Sequence, residues 1–131
     1  MKVVALDYGA ARTGVAVSDP TGAVARPLGV VERAASAAGL ERLRELIVEE
    51  EADRVVVGLP LTLRGERGAQ AAVTERFVEA LREVVDVPVE CFDERFTTAL
   101  AERAEGGRAA ADARAAAHLL SSYLAWASRG R

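Results

Sequence analysis

The chain has 131 residues, 50% of them hydrophobic and 28% charged, with a formal net charge of −3 at pH 7. This is the composition of a single soluble domain spanning 1–131, large enough for a genuine core but too short for two. No apolar run is long enough for a transmembrane helix, so no membrane association is expected. Asp7 stands where an export signal would still be apolar, and the lone Cys91 cannot close an internal disulfide or build a cysteine metal site, so a cytoplasmic location is expected. The acidic balance argues against a protein that coats nucleic acid through its global field, yet leaves room for a local rim of arginines.

The first apolar run, Val3 to Asp7, ends on a carboxylate. Gly14 to Ser18 is a second, closed by the turn chemistry of Asp19-Pro20-Thr21-Gly22. Val24 to Val31 is a third and contains Pro27, which belongs at a sheet edge. Three strands joined by short turns predict an antiparallel meander. The period then changes. Ser36 can cap a helix that carries Leu40, Leu43 and Ile47 on one face. Arg54 to Leu59 is a continuous β-branched run, as in a buried parallel strand, and Pro60 ends it. Val73, Phe77, Leu81 and Val84 mark a helix from about Ala69 to Val85. Pro88 to Phe92 is a short strand leading to Asp93, and Ala109 to Ser128 is the last helix. The order β-β-β-α-β-α-β-α predicts a mixed five-stranded α/β sheet.

Four carboxylates stand out. Asp7 and the Asp93–Glu94 pair lie at strand carboxyl ends, where open α/β sheets place their ligand crevices. Successive strand residues point to opposite faces, so one of Asp93 and Glu94 faces Asp7 while the other is free to pair with Arg95; Glu94 is slightly preferred. Asp112 lies on the apolar stripe of the last helix with Ala116 and Leu120, and so aims toward the sheet. Each has a plainer explanation: a turn bond for Asp7, an ion pair for the acidic pair, a favourable helix-terminus charge for Asp112. Gathering several carboxylates is costly unless a cation offsets their repulsion. Oxygen-only ligands, with no histidine or cysteine nearby, suit Mg²⁺ or Mn²⁺ rather than zinc. Such ions would serve to activate water and stabilise the leaving oxygen of a phosphodiester.

His118 reads as a packing or surface residue, Tyr123 and Trp126 as packing of the last helix, and Cys91 as a buried strand residue. The Glu49-Glu50-Glu51 run reads as a solvated helix end.

The blocks L-D-Y-G-A-A-R-T-G-V-A-V-S-D (Leu6 to Asp19), V-V-G-L-P (Val56 to Pro60) with Gly65 and Gly68, D-E-R-F-T-T (Asp93 to Thr98) and D-A-R-A-A-A-H-L-L (Asp112 to Leu120) together resemble the YqgF family, also called RuvX. They occur in the family's order and span nearly the whole chain. The resemblance implies a RuvC-like, RNase H-like fold with helices on both faces of the sheet. It also implies a divalent-metal nuclease (Mg or Mn) associated with maturing the 5′ end of pre-16S ribosomal RNA. By motif position, the family's acidic residues fall on Asp7, Asp93, Glu94 and Asp112; Asp7 and Asp112 with one of the pair, Glu94 slightly preferred from strand alternation, are the expected metal set. Arg12, Arg95 and Arg108 are then phosphate contacts, while Thr97 and Thr98 either bond phosphate or cap the following helix, capping being preferred for at least one. Two departures thin the basic rim. Ala11 replaces a common lysine, and the stretch from Ala104 to Ala111 is short and supplies only Arg108, with Gly106 and Gly107 as hinges.

Alternatives come from other classes. A Holliday junction resolvase would cut branched DNA as a symmetric dimer; monomer and homodimer both remain open. The Asp7-x-Gly9 and Thr13-Gly14 pattern also occurs in actin-like ATP-binding folds, which need two such domains. A non-catalytic RNA-binding module is the last alternative.

Overall fold

The computed structural model describes residues 1–62, 64–96 and 107–129. In chain order it runs β1 (Val3–Asp7), β2 (Arg12–Ser18), β3 (Ala25–Glu32), α1 (Ala37–Glu49), β4 (Arg54–Leu59), α2 (Ala69–Arg82), β5 (Val89–Asp93), a 3₁₀ turn (Glu94–Phe96) and α3 (Gly107–Arg129). The strands form one sheet in the order β3-β2-β1-β4-β5. The first three pair antiparallel, as the meander predicts, and β4 and β5 join parallel through the crossovers.

The interior position of β4, between β1 and β5, explains its unbroken β-branched run: Val55, Val56 and Val57 are all 0% exposed, because helices cover both faces of the sheet. Pro27 sits in β3 at an edge, beside a register shift that leaves Leu28 without a partner on β2. α1 starts where Ser36 accepts a 3.0 Å bond from the Gly39 amide, and buries Leu43 and Ile47.

α2 ends at Arg82, short of the expected Val85. The Val84 and Val85 amides both turn back to the Leu81 carbonyl, so Val84 leaves the helical face and lies exposed. Ala71, Thr74 and Val78 join Phe77 and Leu81 inside instead.

Residue parity divides the core. Val4, Leu6, Val15, Val17, Val55 and Val57 pack against α1 and α2. Val3, Ala5, Ala16, Val56 and Phe92 pack against Ala116, Leu119, Leu120 and Tyr123 of α3. Small residues on this second face let the alanine-rich helix approach closely. Tyr123 is buried as expected and joins Arg54 and Glu90 through hydrogen bonds of 3.0 and 2.9 Å. Trp126 packs on the Phe92 and Tyr123 rings, as expected, but stays 50% exposed, while Leu124 and Ala127 carry the contact of α3 with the sheet there. Cys91 is half-buried on β5, and Glu50 is not simply solvated but pairs with Lys2 at 3.2 Å.

Candidate active site

β1 delivers Asp7 to the α3 side, since Val3 and Ala5 face that way. A tight turn follows. A β-carbon on Gly9 would lie 2.5 Å from the Arg12 carbonyl oxygen, so only glycine fits without moving the backbone. The buried Thr13 hydroxyl closes the turn, accepting from the Gly9 amide at 3.3 Å. That engagement leaves the Thr13-Gly14 pair as a structural device here rather than an open phosphate cradle.

Gly14 is the ladder partner of Asp7. A β-carbon there would overlap the Asp112 carbonyl and come within 3.2 Å of the Ala113 amide nitrogen. Because that carbon is missing, the first turns of α3 rest directly on β2. Asp112 is thereby brought within electrostatic reach of Asp7. Burial pushes the Asp7 carboxyl above its ordinary pKa, and the Asp112 charge pushes it further.

On β5, Phe92 faces α3 while Val89 and Cys91 face the opposite side. Asp93 shares their parity and leaves on that opposite side. Arg95 grips it there: the guanidinium Nη2 is 2.7 Å from Oδ2, Nε is 3.1 Å from each carboxylate oxygen, and the Arg95 amide donates at 2.9 Å. These bonds hold the Asp93 carboxyl below its ordinary pKa.

Glu94 opens the 3₁₀ turn and returns to the α3 side, with its side chain over Gly58 of β4. Burial raises its pKa first, then the charges of Asp7 and Asp93. The preference for Glu94 as the partner of Asp7 therefore has a geometric basis. Among the described residues, no hydrogen bond to either the Asp7 or the Glu94 carboxylate contributes to these shifts.

Asp112 is different. Its Oδ2 accepts from Arg12 Nε at 2.7 Å, with side-chain exposures of 31% and 29%. Among the described residues no three Asp, Glu, His or Cys side chains converge into a ready metal cage. The chemistry still fits a hard cation: the donors are all oxygens, and two partly buried carboxylates have their charged forms disfavoured for want of positive charge.

Of the expected phosphate contacts, Arg108 is exposed at the start of α3, Arg12 is engaged with Asp112, and Arg95 with Asp93. Thr97, Thr98 and Gly106 lie outside the described residues. His118 is half-buried along α3.

Sequence reasoning missed the supporting roles of Gly14 and Gly58, whose only signal was a glycine inside a strand pattern. It also missed the turn between β4 and α2. There Gly65 (φ +84°) has the Arg95 guanidinium packed against it, 3.2 Å from where a β-carbon would stand. Exposed Arg64 precedes it, and Thr62 ties the turn through bonds to Gly65 and Glu66.

The family model described as "RuvX: Holliday junction resolvase" matches residues 1–126. A protein of Roseiflexus sp. (strain RS-1), named as a candidate pre-16S rRNA nuclease, is 40% identical over 131 residues, covering 94% of this chain and 93% of that protein. Proteins given the same name are 46% identical over 101 residues in Chloroflexus aggregans (77% and 71% covered) and 41% over 139 residues in Rhodococcus jostii (96% and 78% covered). Among solved structures, T. thermophilus RuvC in complex with a Holliday junction substrate superposes with a TM-score of 0.65 at 19% identity, covering 99% of this chain and 96% of that one. A second T. thermophilus RuvC structure gives 0.62 at 21% identity, with 99% and 97% covered. These two establish the RuvC-like, RNase H-like fold. The family match and the curated relatives, spanning nearly the whole chain, make this chain a member of the RuvX (YqgF) family.

Proposed function

We propose that the chain is a divalent-metal-dependent nuclease that hydrolyses phosphodiester bonds of RNA in maturing the 5′ end of pre-16S ribosomal RNA. It would act as a single RNase H-like domain in the cytoplasm. The reading is supported chiefly by the Asp7, Glu94 and Asp112 side chains, brought to one edge of the sheet with too little positive charge to balance them. The names of the family relatives support the substrate.

In this reading Asp7, Glu94 and Asp112 hold Mg²⁺ or Mn²⁺, which supplies the charge that offsets the carboxylates and polarises the scissile phosphate. The protein's own residues do the positioning. Arg12 and Arg108 on the rim, joined by Thr97, Thr98 and Arg64, would contact phosphates and set the strand's register. Asp93 serves as a positioning residue: it orients Arg95, which packs on the Gly65 turn and would contact a backbone phosphate.

Cleavage of a pre-16S RNA fragment by the purified chain, with and without Mg²⁺ or Mn²⁺, tests the proposal. Asp7→Asn and Asp112→Asn should each abolish metal-dependent cleavage while the circular dichroism spectrum stays unchanged. Full activity in both variants would overturn it. The family description and the RuvC-like fold favour a second reading, a resolvase acting on branched DNA. A four-way junction left intact under conditions that process the RNA eliminates that reading.

A further inference from the structure

The Arg12–Asp112 ion pair joins residues 100 positions apart in the sequence and lies at the lip of the carboxylate group. It divides the acidic residues unequally. Asp7 and Glu94 are left to repel their neighbours, while Asp112, the third of the proposed metal set, carries the Arg12 guanidinium on its carboxylate. Both members of the pair are about a third open to solvent, so the contact can break and re-form with water taking its place.

A hard divalent ion draws a carboxylate oxygen to roughly 2.0–2.1 Å and carries two positive charges. A guanidinium 2.7 Å from the same oxygen would then face a like charge only partly screened by solvent. The two cations therefore compete for Asp112. Once displaced, Arg12 remains at the cleft mouth with its planar donor fork unused, and a backbone phosphate matches that fork.

We propose that Arg12 is an exchangeable counter-ion: it neutralises Asp112 while the cleft is empty, and passes to a substrate phosphate when a divalent ion enters. The proposal rests on the metal-dependent reading above and assigns Arg12 a second role beyond phosphate contact. It implies that ion and nucleic acid bind with positive coupling, each raising the affinity of the other by the same factor.

The test is calorimetric titration of Mn²⁺ into the free chain, without RNA, for the wild type, Arg12→Gln, Arg12→Lys and Arg108→Gln. Arg12→Gln should bind Mn²⁺ roughly 1.5- to 5-fold more tightly, the range expected from removing a partly exposed competing pair. Arg12→Lys should fall between it and the wild type. Arg108→Gln removes the same charge one helical turn from Asp112 and should shift affinity much less. For a nuclease-resistant RNA, the sign reverses: Arg12→Gln should bind it more weakly. Adding that RNA should also tighten Mn²⁺ binding more in the wild type than in Arg12→Gln.

Circular dichroism confirms that each variant is folded. Equal or weaker Mn²⁺ binding by Arg12→Gln, or an equal gain in Arg108→Gln, overturns the exchange while leaving the metal site standing. Absence of Mn²⁺ binding in wild type and variants alike overturns the metal reading itself, and the exchange with it.

Discussion

The backbone of Asp112 rests on Gly14, the residue that faces Asp7 across the β1–β2 ladder. One missing β-carbon thus sets the spacing between two acidic residues that are far apart in the chain. In Gly14→Ala the new methyl meets a backbone carbonyl rather than a flexible side chain, so α3 itself must lift. Overpacking of this kind costs about 1–3 kcal/mol, and the rigid neighbour places this variant toward the upper end. Urea denaturation should show the loss, together with a fall in RNA cleavage measured where the variant is still fully folded. Wild-type stability in Gly14→Ala would mean that α3 does not lie as closely on β2 as described.

Asp93 and Glu94 are adjacent yet do opposite things. Asp93 is spent on Arg95, whereas Glu94 returns to the side of Asp7. Glu94→Gln should abolish cleavage and weaken Mn²⁺ binding. Asp93→Asn should leave Mn²⁺ binding near wild type and reduce cleavage by about tenfold, the scale of a lost outer partner. Steady-state cleavage and Mn²⁺ titration on both variants decide the matter, and the reverse ranking would exchange the two assignments.

The pH dependence of stability follows from the same asymmetry. The folded chain holds the Asp7 and Glu94 protons more tightly than the unfolded chain does, since both pKa values are raised. Their contribution is fully present below the ordinary carboxylate values of 3.8 and 4.5, and is lost as pH rises through the raised ones. At neutral pH, without a divalent ion, these charges weigh against folding. Asp93 and Asp19 have the opposite sign: their pKa values are lowered, so their support is lost as pH falls through those lowered values. Asp7→Asn should therefore raise the melting temperature of the ion-free chain at pH 7 by a few degrees. The gain should shrink toward zero below about pH 3, where the aspartate is protonated in both states. Adding Mn²⁺ should stabilise the wild type more than the variant. A lower melting temperature for Asp7→Asn at pH 7 would contradict the repulsion.

Much of this arrangement could be read from local sequence. The switch from period two to period 3.6 after Ser36 marks a real helix start, and the β-branched run of Arg54 to Leu59 marks a strand buried on both faces. Parity within Asp93–Glu94 was legible too, but not which parity faces Asp7, because that depends on where a helix far along the chain packs. The Arg12–Asp112 pair had no local signal for the same reason. Val84 was misread because the helical period continued in sequence after the helix had ended: α2 unwinds before Val84.

Gly58 supplies the last prediction and a contrast with Gly14. A β-carbon on Gly58 would stand 2.8 Å from Glu94 Oε2, 2.9 Å from its Cγ and 3.2 Å from a Leu119 methyl. These are side-chain atoms, and the glutamate can swing aside by a rotamer change of about 0.5–1.5 kcal/mol at most. Alanine also removes the entropic penalty of glycine inside a strand, roughly 0.5–1 kcal/mol in the opposite direction. Gly58→Ala should therefore fold with near wild-type stability, because the two effects nearly cancel. The displaced carboxylate, however, no longer lies beside Asp7. Cleavage and Mn²⁺ affinity should fall together, approaching the Glu94→Gln values, while the denaturation midpoint hardly moves. Loss of stability without loss of Mn²⁺ affinity would show that Gly58 serves the packing of Leu119 rather than the placement of Glu94.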